Sequence, residues 1–77
     1  MPLTPPPDHD EITTRRVAFG DRLRIARREA GLTQDQLAER TGLDRVQISE
    51  IERGYRDARL STLMRIEGAL GAHLTWV

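Results

Sequence analysis

The sequence predicts an all-α fold of four helices, in which two short ones are joined by a tight turn. Three observations predict it. Two helix-start signatures, at Thr33 and Asp44, follow one another with a glycine between them. Glycines stand where each helical stretch should stop. Apolar residues recur at helical spacing everywhere except in the last six residues, which alternate. At 77 residues with no cysteine, the chain is one small domain. Such a domain buries roughly 60% of the surface it exposes when unfolded, and this one has no disulfide to reinforce it.

Taken in order, residues 1–7 contain Pro5, Pro6 and Pro7 in a row and read as an extended tail. Asp8 with Glu11 three residues later marks a helix start. Thr13, Thr14 and Gly20 are poor interior residues, so a later start at Thr14 is also open. The firm part of this first helix runs to Ala30, with Val17, Phe19, Leu23, Ala26 and Ala30 as a partly regular apolar stripe. Gly31 supplies its left-handed stop. Thr33 and Gln36 then form a capping box, and Leu32 can staple to Leu37. The second helix, QDQLAERT, starts at about Gln34 and is halted by Gly42. The grammar repeats with Leu43, Asp44, Gln47 and Ile48, giving a third helix over 45–53 that stops at Gly54. Two short helices with a glycine in the connecting turn are the sequence form of a helix-turn-helix, here 33–53. Small Ala38 suits their close crossing. A polar loop, 55–59, leads to a fourth helix over 60–70, with Leu60, Leu63, Met64, Ile66 and Leu70 apolar and Gly71 at its end. The ending AHLTWV reads as a short β-strand with Leu74 and Trp76 on one face. The domain therefore spans 8–71, between the tail and a C-terminal segment, 72–77.

Composition excludes several functions. Without cysteine there is neither a thiolate metal site nor a cysteine nucleophile. His9 and His73 sit in opposite tails, so no metal site is expected. No nucleophile–base set and no glycine-rich phosphate loop is present, which argues against an enzyme, a cofactor or a small-molecule ligand. The apolar runs fall far short of the ~20 residues of a membrane span. The acidic, proline-rich N-terminus is neither a signal nor a transit peptide, so a soluble cytoplasmic protein is expected. The net charge of zero argues at first against a nucleic-acid partner. The charge is unevenly placed, however. Asp8, Asp10 and Glu11 precede every basic residue, and residues 12–77 carry all 12 basic residues, each an arginine. Arginine forks suit phosphates and guanine edges.

Residues 19–71 resemble the Cro/lambda-repressor-like (XRE) helix-turn-helix family. The resemblance is carried most strongly by GLTQDQLAERTGL and ISEIERG. It implies a bundle of four or five helices and sequence-specific binding of double-stranded DNA, usually as a dimer. Gln34 matches a glutamine that contacts a phosphate and braces recognition side chains. Arg27 and Glu52 match a salt bridge between the first and third helices. Arg45, Val46 and Glu50 match positions that reach base edges. Asp57-Ala58-Arg59 departs from the family's Asn-Pro-Ser, leaving Ser61 as the candidate cap of the fourth helix. The ending looks like the small antitoxin subgroup, whose C-terminal strand pairs across a dimer. That carries an alternative function, binding a partner protein such as a toxin, with autoregulatory DNA binding.

The third helix can also be read by itself. At roughly 100° per residue, Ile48 and Ile51 face inward. Val46, Ser49, Glu50 and Arg53 face outward, with Arg45 and Gln47 on the flanks. Arg45 suits guanine O6 and N7, Val46 a thymine methyl, and Glu50 a cytosine amino group. Gln47 serves either a base or its cap, and Glu50 either a base or a neighbouring arginine. Ser49 completes the candidate base-contacting set. Phosphate contacts are expected from Arg24, Gln34 with the free N–H groups of the second helix, Arg53, Tyr55, Arg56 and Arg59. The C-terminal strand has no partner within the chain, so a second copy should supply one, burying Leu74 and Trp76 in a homodimer that fits a palindromic operator. A short fifth helix is the alternative. A DNA partner would place the protein at the nucleoid.

Overall fold

The computed structural model describes residues 4–74. Four helices follow in order: α1 His9–Glu29, α2 Gln34–Thr41, α3 Arg45–Glu52 and α4 Leu60–Leu70. Of the two starts open to α1, the earlier is taken. Asp8 caps it, accepting from the Glu11 N–H at 2.8 Å. Thr13 is tolerated inside because its hydroxyl donates to the His9 carbonyl at 3.0 Å. Residues 4–7 are exposed and without regular structure.

Both capping boxes form. The Gln36 N–H donates to Thr33 Oγ1 at 3.1 Å, and the Thr33 N–H donates to Gln36 Oε1 at 2.8 Å. Asp44 and Gln47 repeat the arrangement at 2.8 and 3.1 Å. Gly42 ends α2 in the left-handed conformation, φ 73°, and sets the turn between the two short helices. α4 differs from expectation. Its N-cap is Arg59 and makes no side-chain cap bond, so Ser61, already inside the helix, is not the cap. The Leu63 N–H donates to the Arg59 carbonyl at 3.1 Å, and burial of Ile66 holds the helix in place.

The core gathers Leu23 from α1, Leu32, Leu37 and Ala38 around α2, Ile48 and Ile51 from α3, Ile66 from α4, and Leu74. α1 packs on α3, and α2 packs on both α3 and α4, so the helix-turn-helix is the centre of the bundle. Gly20 is buried where α1 crosses α3. A Cβ there would meet the Glu52 carbonyl oxygen and lie 2.6 Å from that of Ile51. The residue that looks like a weak helix former is the contact that lets two backbones touch. Gly68 is the opposite case, exposed on α4 with nothing within 4 Å of the place a Cβ would take. Gly68→Ala should therefore stabilise the domain by about 0.5–1 kcal/mol and raise its melting temperature by about 2–8 °C, measurable by thermal denaturation.

The C-terminus departs from the strand expectation where it is described. His73 and Leu74 have no strand structure, while Thr75, Trp76 and Val77 lie outside the described residues. After the left-handed Gly71 the chain folds back, and the Leu74 N–H donates to the Glu67 carboxylate at 2.8 Å. The Leu74 side chain is 5% exposed. It is covered by its own chain rather than left for a second copy. Among the described residues no helix is long and apolar enough to cross a membrane.

Candidate nucleic-acid interface

The first turn of α3 presents Arg45 and Val46 to solvent. Val46 is 62% exposed, whereas the other two apolar residues of the helix, Ile48 and Ile51, are buried. The sequence thus puts a branched apolar side chain where packing does not use it. Asp35, in the first turn of α2, lies 3.8 Å from Arg45 Nε. Both side chains are exposed, so the pair adds little stability. It does show that the starts of α2 and α3 open on the same side. Asp35 is not among the sequence-based candidates, since nothing local links it to a residue ten positions on. Gln47 serves as the cap partner of Asp44 in the free protein. Ser49 is half-buried on the same helix.

Glu50 meets a neighbouring arginine in the free chain. Its Oε2 accepts from Arg56 Nε at 3.0 Å and lies 2.9 Å from Arg56 Nη2. The loop that carries Arg56 is fixed by backbone bonds. The Tyr55 N–H donates to the Glu50 carbonyl at 2.9 Å, and Gly54 turns left-handed at φ 75°. Tyr55 stands 74% exposed. Arg53 and Arg59 are exposed at the two ends of this loop. Arg24 is held along α1 by Asp21 at 3.0 Å.

Beneath this face lies a buried network. Arg27 Nε donates to Glu52 Oε2 at 2.6 Å and its Nη2 to Oε1 at 3.1 Å, a two-point fork. Arg27 Nη1 donates to the Leu32 carbonyl at 2.8 Å. Gln34 Nε2 donates to Glu52 Oε1 at 3.2 Å. The pair expected between the first and third helices is therefore present. It also reaches the first residue of α2, fixing that helix end relative to α3. Thr33 takes the Gln36 N–H, and the positive end of the α2 dipole lies beside Gln34.

A family model described as helix-turn-helix matches residues 23–77. The chain belongs to the XRE-type helix-turn-helix family. Among its relatives in the family, the immunity repressor protein of Bacillus phage phi105 is 43% identical over 59 residues, which cover 77% of this chain and 41% of that protein. The HTH-type transcriptional regulator ImmR of Bacillus subtilis (strain 168) is 38% identical over 50 residues, 65% of this chain and 39% of that protein. The chain thus spans about two-fifths of the length of these two relatives. Among solved structures, the restriction-modification controller protein C.AhdI from Aeromonas hydrophila superimposes with a TM-score of 0.77 at 38% identity, covering 79% of this chain and 88% of that one. The XRE-type fold accounts for the placement of the exposed α3 turn, the α2 N-terminus and the loop after α3 on one bundle.

Proposed function

We propose that this chain is a sequence-specific, double-stranded DNA-binding transcription regulator, acting as a repressor, and that it binds a palindromic operator as a homodimer. The observation that carries the reading is the exposed first turn of α3, with Arg45 and Val46 free of the core beside the capped start of α2. A recognition helix reads bases with its N-terminal residues. The relative named an immunity repressor supports the sign of regulation. In this reading Arg45 takes a guanine and Val46 a thymine methyl, with Ser49 beside them. Glu50 orients Arg56, whose remaining N–H groups take a phosphate. Gln34, Arg24, Arg53, Tyr55 and Arg59 hold the backbone on either side.

The test is binding to the DNA upstream of its own gene at several salt concentrations. Four arginines per chain in phosphate contact, doubled in a dimer, give a slope of log K against log salt of about −7. Arg45→Ala should lose about 1–3 kcal/mol at one base pair and relax specificity there, while Arg56→Ala should weaken all sequences alike. If Arg45→Ala left the sequence preference intact, α3 would not be the recognition helix.

The dimer is proposed to form through the residues that follow Leu74. Because Leu74 itself belongs to the single-chain core, deleting from residue 73 onward would damage the fold. Trp76→Ala is the cleaner probe. It should shift the protein towards monomer in sedimentation equilibrium and weaken binding to a two-half-site operator far more than to a half-site. A dimer of unchanged strength would place the interface elsewhere.

A further inference from the structure

Arg45 is the first residue of α3 and Asp35 the second of α2. Arg45 Nε lies 3.8 Å from Asp35 Oδ1, an ion pair that joins the starts of the two helices. The pair is exposed and adds little to stability, but its place is tightly framed. A capping box closes each helix start, Thr33 with Gln36 and Asp44 with Gln47. Gln34 ties the start of α2 to Glu52 on α3. Asp44, next to Arg45 in sequence, has its carboxylate taken up by the Gln47 N–H at 2.8 Å, so the ion pair of Arg45 is made across to the other helix. An acidic residue in the first turn of α2 suits the dipole of that helix. The dipole accounts for the charge of Asp35. It does not account for that charge standing against the first residue of α3, on a face assigned above to contacts with phosphates.

On the reading of α3 as the recognition helix, on which this step rests, we propose that Asp35 is a positioning residue that sets the base preference of Arg45. A guanidinium carries one donor at Nε and two at each Nη. With Asp35 on the Nε, the two Nη groups remain for guanine O6 and N7, a pair of adjacent acceptors that no other base presents in the major groove. Held in this way, Arg45 meets the base with its orientation set in advance, and less side-chain freedom is lost on binding. Water excluded by the DNA lowers the local dielectric and strengthens the ion pair in the complex. A second effect acts in the same direction. When Arg45 leaves for a phosphate instead, Asp35 stands unpaired beside a polyanion. That penalty falls on wrong sequences and not on the right one, which is discrimination by repulsion. Asp35 thus lowers affinity for DNA in general and raises the preference for one base pair.

The test selects preferred sites from a random-sequence duplex pool with the full natural chain, Arg45→Ala, Asp35→Ala and the double variant. Arg45→Ala identifies the base pair that Arg45 reads, as the position whose preference is lost. Asp35→Ala should relax that same position, its guanine preference falling about fivefold, with the other positions unchanged. Titration of an unrelated duplex should show the opposite change in Asp35→Ala, a gain in affinity of about two- to fivefold. In the double variant the preference should equal that of Arg45→Ala alone, since Asp35 acts through Arg45. Both side chains are exposed, so circular dichroism should show every variant folded. Equal gains on all sequences, with the base preference intact, would leave Asp35 to the α2 dipole and overturn this role. A further loss of preference when Asp35→Ala is added to Arg45→Ala would overturn it too. Failure of the recognition-helix reading looks different: the natural chain would select no preferred site, or Arg45→Ala would leave the selected site unchanged.

Discussion

A Gly20→Ala variant should melt about 12–24 °C below the natural chain, a loss of about 3 kcal/mol for a domain of this size. The added methyl group is small, but it has nowhere to go. It would fall on the Glu52 carbonyl oxygen and 2.6 Å from the Ile51 carbonyl oxygen. Backbone cannot swing aside as the end of a side chain can, so α1 and α3 must separate. Overpacking usually costs about 1–3 kcal/mol, and the upper end applies because the helix contact itself is disturbed. The intrinsic preference of alanine for helix works the other way, by about 1 kcal/mol, and is outweighed. Gly68→Ala, which gains the same preference without the clash, is the internal control. Opposite shifts of the two melting temperatures would show that the close approach of α1 to α3, and not glycine flexibility, is what Gly20 serves. A Gly20→Ala protein as stable as the natural one would mean that the two helices cross further apart.

The same contrast explains how far the sequence can be read. The caps at Thr33 and Asp44 are legible because they depend on residues three apart, and so are the turn at Gly42 and the inward faces of Ile48 and Ile51. Gly20 reads as a weakness in the sequence because its reason lies on another helix. Ser61 is the expected cap of α4 because the loop lacks the usual residue. Nothing local says that a helix can begin at Leu60 with no side-chain cap at all. Leu74 falls on a strand face by alternation over six residues, too short a run to separate a strand from a chain that folds back and buries one side chain. At the candidate site, helical phase places Arg45 and Val46. The partners that Gln47 and Glu50 hold in the free chain, Asp44 and Arg56, come from the structure alone. The Asp35–Arg45 contact is invisible in the sequence because it joins two elements.

Glu52→Ala should be at least as damaging as Gly20→Ala, and through a different mechanism. Glu52 is 4% exposed and Arg27 8%, so removal of the carboxylate strands a buried guanidinium that keeps only its bond to the Leu32 carbonyl. Breaking one side of such a pair costs about 3–5 kcal/mol, a large part of the roughly 5–15 kcal/mol by which a domain is stable. Gln34 would lose its anchor at the same time. Melting without DNA measures the first effect, and an unchanged melting temperature would show that water replaces the pair at no cost. Separating stability from positioning needs a second variant, Arg27→Met with Glu52→Leu, which removes both charges and fills their volume. Apolar replacement of a whole buried pair is often neutral or stabilising, so this protein should recover most of the lost melting temperature. It should not recover Gln34, whose amide would have no partner on α3. The double variant is therefore expected to fold stably and yet bind operator more weakly at every sequence, with the base preference set by Arg45 unchanged. Full DNA affinity in that folded protein would show that Gln34 needs no brace, and that the buried pair serves the fold alone.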